Sequence, residues 1–164
     1  VTVPDRPTVR VAVDLLGGDR AVAEVTAGAL HAIAADPGVE VLLVGPPQTA
    51  AWLRAAGPGA VDTARISLVT ATDAIGMDED PVVAVRARRD ASVRVAARLV
   101  RDGHADAMVS VGSTGAAMAA ALFTLGRLPG ITRPALAAVV PALAHPVLLV
   151  DAGANPDATP DLLV

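Results

Sequence analysis

Between Ala107 and Gly126 the chain reads AMVSVGSTGAAMAAALFTLG, an apolar stretch broken at Gly112-Ser113-Thr114-Gly115 and continued by an uncharged, alanine-rich one. This change of composition predicts a buried strand that turns directly into a helix. A strand with no polar alternation has to be covered on both faces, which makes a parallel α/β sheet the governing expectation. The glycines predict a tight turn, with Ser113 or Thr114 as helix cap. The same junction is a candidate anion site. The first amides of a helix have no intrahelical acceptor and the dipole is positive there, so a phosphate can be held without a lysine. The uncharged run is of membrane-spanning length, but its central Gly-Ser-Thr-Gly fits strand, turn and helix better.

The rest of the chain repeats the pattern. Val9 to Asp14 reads as a strand followed by the loop Leu15 to Asp19 and a helix from about Ala21 to Ala35. Val39 to Gly45 is a second strand, between Pro37-Gly38 and Pro46-Pro47, with a helix across Thr49 to Ala56. Ile66 to Thr70 is a third strand. An acidic loop, Asp73 to Asp80, precedes Pro81 at a first helical position and a helical stretch through Arg89. Ser92 to Asp102 continues as an amphipathic helix ended by Gly103. Ala107 to Val111, Ala135 to Val140 and Val147 to Asp151 complete the strands. A chain of roughly 150 residues buries about 68–70% of its unfolded surface, so these 164 residues are expected to form one domain. The order predicts a mostly parallel sheet with helices on both faces and right-handed crossovers.

Composition excludes several chemistries. There is no Cys, hence no disulfide, thiolate metal site or cysteine nucleophile. All 13 basic residues are Arg, which rules out a Walker-type phosphate lysine and a lysine Schiff base. A net charge of −4 without a basic stripe argues against nucleic acid. His31, His104 and His145 show no metal-ligand spacing, and neither metal nor cofactor is expected. Residues 1–10 contain no apolar signal core, which predicts a cytoplasmic protein.

Three candidate strands end in glycine plus a small polar or acidic residue. They are Asp14 with Gly17-Gly18-Asp19, Val111 with Gly112 to Gly115, and Asp151 with Gly153-Ala154-Asn155. Strand carboxyl ends share one edge of a parallel sheet, so these loops are expected to converge on a phosphate-type site. None is a dinucleotide-binding GxGxxG. The acids Asp14, Asp19 and Asp151 can cap helices, pin loops or orient donors. Asn155 can hold a turn or polarise a carbonyl oxygen without repelling phosphate. Arg86, Arg88, Arg89 and Arg94 more often form a solvated face or pair with neighbouring acids, but can dock an acidic carrier protein or place a guanidinium over phosphate. Asp73, Asp78, Glu79 and Asp80 read as a helix-start cluster ahead of a Mg²⁺ site.

The stretches VAVDLLGGD, IGMDEDPVVAVRARRDAS, ARLVRDGHADAMVSVGSTGA, TRPALAAVVP and LLVDAGANPDATPDLL, in that order, resemble the PlsX family over nearly the whole chain. These are bacterial acyl-acyl carrier protein:phosphate acyltransferases of phospholipid synthesis. The resemblance implies a three-layer α/β/α fold similar to phosphate acetyltransferases and the isocitrate dehydrogenase superfamily, commonly as a homodimer. It implies acyl transfer from carrier protein to inorganic phosphate, giving acyl phosphate for a membrane-associated glycerol-3-phosphate acyltransferase, with a peripheral membrane location open. On it, Gly112, Ser113, Thr114 and Gly115 are the phosphate candidates, with Arg86 or Arg89 as countercharge. Asn155 is the oxyanion candidate, Asp14, Asp19 and Asp151 orient loops or donors, and Gly17, Gly18 and Gly153 shape the loops. The sequence departs from the family at Leu15-Leu16, where Ala-Met is usual, at Ser113, where Asn is usual, and across Pro156 to Leu162, which lacks a Lys and a His. Family members run to about twice this length, so the 164 residues read as the N-terminal part of a longer enzyme. Two alternatives are a short-chain phosphate acetyl- or butyryltransferase using acyl-coenzyme A, and an inactive module that binds carrier protein or an acyltransferase.

Overall fold

The structure is a computed structural model in which residues 7–18, 22–55, 63–131, 134–143 and 145–152 are described. They fall into two compact units, Val1–Leu125 and Gly126–Val164. The first holds strands β1 (Val9–Asp14), β2 (Val39–Gly45), β3 (Ile66–Thr70) and β4 (Ala107–Ser110) in the spatial order β3-β2-β1-β4. All three pairings are parallel, as helical crossovers require. The helices are α1 (Val22–Ala35), α2 (Thr49–Ala55), α3 (Pro81–Ala87), α4 (Ser92–Arg101) and α5 (Thr114–Leu125).

Strand alternation sorts the apolar residues into two layers. Val13, Val41 and Leu43 point to one face and pack on Ala29 and Ile33 of α1. Ala12 and Val44 point to the other and pack on Val95 and Ala96 of α4. A third cluster joins α3, α4 and α5 through Val85, Val93, Ala97, Ala116 and Ala120, where small side chains let the helices approach closely. The result is helices on both faces of a parallel sheet, the expected α/β/α arrangement.

Local contacts set the helix boundaries, and one of them differs from expectation. The Asp80 carboxylate accepts from the Val83 N–H (2.8 Å) and starts α3 with Pro81 in its first turn, but the helix stops at Ala87, short of Arg89. Arg88 leaves helical geometry and turns its guanidinium back to Glu79. Helix α5 begins at Thr114 with Ser113, one of the two expected residues, as cap: its hydroxyl oxygen accepts from the Ala116 N–H (3.2 Å) and its carbonyl from the Ala117 N–H (2.9 Å). At the end of α1 the Arg65 guanidinium donates to the Ile33, Asp36 and Val39 carbonyls, supplying donors that a helix terminus lacks.

The second unit contains β5 (Ala137–Val140) and β6 (Val147–Val150), an antiparallel pair in a sheet of their own. The connection from Pro141 to Pro146 is too short for a crossover, which takes a dozen or more residues, so the pair closes as a hairpin. β6 is therefore not a strand of the parallel sheet, and the shared-edge argument applies to the loops after β1 and β4. Among the described residues no helix is long and apolar enough to cross a membrane.

Candidate anion site at the β1 and β4 edge

Strand register brings the loops after β1 and β4 together. Asp14 is the Cα partner of Ser110, and both are the last residues of their strands, so the loops after β1 and β4 leave the sheet side by side. Asp14 shares the face of Ala12 and is fully buried. Its carboxylate accepts from the Ser92 hydroxyl at the first residue of α4 (2.5 Å), the Ser110 hydroxyl (2.7 Å) and the Leu16 N–H (3.2 Å). The Ser110 oxygen in turn accepts from the Gly112 N–H (3.3 Å). One buried acid thus ties β1, α4 and β4 together below both loops.

The glycines are there because the loops touch. A Cβ on Gly112 would lie 1.6 Å from the Gly17 carbonyl oxygen, and one on Gly17 would lie 2.1 Å from an Asp14 carboxylate oxygen. Gly18 has the same constraint against Val111, at 2.9 Å. Asp14, Gly17, Ser92, Ser110 and Ser113 surround a crevice too narrow to admit water, so the carboxylate organises the loops from beneath and does not face solvent.

Above this crevice sits the N-terminus of α5. The cap leaves the Thr114 and Gly115 amides without an intrahelical acceptor, and the Thr114 side chain is exposed beside them. Gly115 abuts the start of α3, where an added Cβ would lie 2.9 Å from the Pro81 ring. The arrangement presents backbone donors, a hydroxyl and the positive end of a dipole, which suits an anion.

The arginines lie elsewhere. The Arg86 guanidinium stacks over the Phe123 ring, 4.7 Å from its centroid, and Phe123 is about 13 Å along α5 from Thr114 at 1.5 Å per residue. Arg89 is exposed beyond the end of α3, where its carbonyl accepts from Arg98. The contacts each makes hold neither at the α5 N-terminus. Arg88 is clamped by Glu79 (2.6 and 2.8 Å) and the Ala74 carbonyl (2.5 Å), and Arg94 donates to the Val85 carbonyl (2.7 Å). The Gly76 N–H and then Arg88 hold the Glu79 carboxyl below its ordinary value, while Glu79 pushes Arg88 up. Asp80 is thereby occupied with capping and Glu79 with clamping.

A family model described as fatty acid synthesis protein matches residues 9–164. The chain belongs to this family. It is similar to the phosphate acyltransferase of Desulfitobacterium hafniense (strain Y51), with 50% identity over 155 residues, 94% of this chain and 45% of the relative. The phosphate acyltransferase of Nostoc punctiforme gives 50% over 157 residues, again 94% and 45%. That of Nitratidesulfovibrio vulgaris (strain DP4) gives 45% over 150 residues. The chain spans less than half the length of these curated relatives.

Within this family member, Asp19, Gly153 and Asn155 lie outside the described residues, as does the run Pro156 to Leu162. Asp151 follows β6 in the second unit with φ of 61°, a left-handed conformation uncommon for a residue with a side chain. Ser92 and Ser110 were not singled out in the sequence, although they hold Asp14. Strand parity could have paired Ser110 with the Asp14 face, but nothing local marks Ser92, which looks like an ordinary helix-start serine. A second concavity of about 610 Å³ lies between α1 and the sheet, lined by Val11, Val13, Val25, Val109 and Val111, with Glu24 as its charged residue. Its apolar walls offer nothing to an anion.

Proposed function

We infer that this chain carries the phosphate-binding part of a phosphate acyltransferase, which makes acyl phosphate from acyl-acyl carrier protein and inorganic phosphate. The observation that carries the reading is the Ser113-capped N-terminus of α5, with the Thr114 and Gly115 amides and the Thr114 hydroxyl at the carboxyl edge of the sheet. The relatives' name supports the acyl-transfer half of it.

In this reading a phosphate oxygen attacks the thioester carbonyl carbon, the C–S bond breaks, and the departing thiolate takes the proton that phosphate releases. Phosphate is itself the nucleophile, so no Ser, Cys or Lys nucleophile is required. The chain contributes positioning and charge stabilisation. The Thr114 and Gly115 amides and the Ser113 and Thr114 hydroxyls hold phosphate, and Gly112 shapes the turn that carries them. Asn155 donates to the thioester oxyanion, Asp19 and Asp151 orient donors, and Gly17, Gly18 and Gly153 keep the loops tight. A homodimer that passes its product to a membrane-associated glycerol-3-phosphate acyltransferase completes the reading.

The test is acyl phosphate formation by the 164-residue chain from palmitoyl-acyl carrier protein and phosphate, beside Asn155→Ala. Turnover lost in the variant supports the assignment. Phosphate binding without turnover in a folded chain supports a binding module. Faster turnover with acetyl-coenzyme A than with palmitoyl-carrier protein would shift the donor to a short-chain thioester.

A further inference from the structure

Strand parity places Ser110 on the face of Ala12 and Asp14, and register sets it directly opposite Asp14. Its hydroxyl proton is committed to Asp14 (2.7 Å), which turns the oxygen lone pairs toward the chain that follows. There the Gly112 N–H donates to it (3.3 Å), the first amide of the Gly-Ser-Thr-Gly turn. The Gly112 amide is therefore engaged from within the protein and is not one of the donors open to a ligand. What it does is fix the direction in which the next residues leave β4, and with them the cap Ser113 and the Thr114 and Gly115 amides.

We propose that Ser110 is a positioning residue for the anion site, holding the turn after β4 in the orientation that aims the α5 N-terminus at phosphate. The proposal rests on the phosphate reading above. Ser92 supplies a matched comparison. Its hydroxyl binds the other oxygen of the same carboxylate (2.5 Å), and its N–H goes to the Asp73 carbonyl (2.9 Å), yet no bond of Ser92 reaches the β4–α5 turn. Ser92 and Ser110 are alike in what they do for Asp14 and differ in what they do for the turn.

The experiment uses inorganic phosphate as probe and reads the dissociation constant from the phosphate dependence of the thermal midpoint, in the wild-type chain, Ser110→Ala and Ser92→Ala. Both variants should melt lower, since each removes a bond to a buried carboxylate. Phosphate affinity should fall about threefold to tenfold in Ser110→Ala, the range one lost hydrogen bond covers, and by less than twofold in Ser92→Ala. Equal effects of the two variants on affinity, or none from Ser110→Ala, would overturn the positioning role and leave the phosphate reading standing. A wild-type chain whose midpoint ignores phosphate would overturn the phosphate reading and the proposal with it. Should Ser110→Ala not fold, Ser110→Cys, of similar size but a weaker hydrogen-bonding group, decides by the same comparison with Ser92→Ala.

Discussion

Substitution of Gly112 by Ala is the sharpest test of how the two loops meet. The backbone of Gly112 is not left-handed, so alanine carries no conformational penalty there and any loss reports the close approach alone. The added carbon would sit 1.6 Å from the Gly17 carbonyl oxygen and 2.2 Å from its carbon. A tolerable carbon–oxygen contact is about 3.3 Å, so the loops must part by roughly 1.7 Å. That displacement breaks the Gly112–Ser110 bond and strains the Ser110–Asp14 bond. Overpacking of this kind costs about 1–3 kcal/mol, and weakening a hydrogen bond to a charged group adds about 1.5–3. Together the loss should be roughly 2.5–6 kcal/mol. At about 2–4 °C per kcal/mol for a chain of this size, the melting midpoint should fall by roughly 5–24 °C. Thermal and urea unfolding followed by circular dichroism measure it. Gly28 in α1 is the control of opposite sign: a Cβ there meets nothing within 4 Å, and Gly28→Ala should stabilise by about 0.5–1 kcal/mol. A Gly112→Ala chain within about 1 kcal/mol of wild type would refute the interlocked geometry.

Three further outcomes follow from the same contacts. Thr114→Val should raise the Michaelis constant for phosphate about threefold to tenfold with kcat little changed, and an unchanged constant would remove Thr114 from the site. Arg86→Ala should leave phosphate affinity within twofold of wild type and cost about 0.5–1 kcal/mol of stability, the worth of an exposed cation–π contact; a large affinity loss would show that Arg86 reaches the anion after all. The Gly76 N–H and Arg88 hold Glu79 below its ordinary value of 4.5, so the stabilisation it supplies is present above that pH and is lost as pH falls through its folded value. Glu79→Gln should therefore show a shallower acid loss of stability below about pH 4.5 than wild type, though not a flat one. Asp102, beside the Arg101 guanidinium, and Asp106, bound by the Arg10 N–H, are lowered in the same sense and remain. Identical acid limbs in the two proteins would show that the Glu79 clamp does not form in solution.

The sheet was legible because its signals are local. Val9 to Asp14 stops at an acid, Val39 to Gly45 lies between glycine and proline, Ile66 to Thr70 starts after Arg65, and the apolar run in each is too short for a helix. The hairpin β5–β6 was seen as two strands, but its separate sheet was not, because pairing partners are a long-range property that a run of valines does not encode. The junction after β4 could be read as a turn and cap from its glycines and hydroxyls. What lies beneath it could not. Asp14 and Ser110 are 96 residues apart, Asp14 and Ser92 are 78 apart, and only the register of β1 on β4 and the docking of α4 make them neighbours. The arginines show the converse. Four of them close together in sequence leave phosphate, solvent and neighbouring acids all open as partners, because a short helix turns its side chains through a full circle in fewer than four residues. Arg86 accordingly lies on a ring, Arg88 in a carboxylate clamp and Arg94 against a carbonyl. A guanidinium with five donors takes the nearest good acceptor, and in this acidic chain the nearest acceptor is its own loop. In the proposed reading, anion binding at this edge therefore falls to backbone amides, whose direction is set by the glycines and by the buried acid under them.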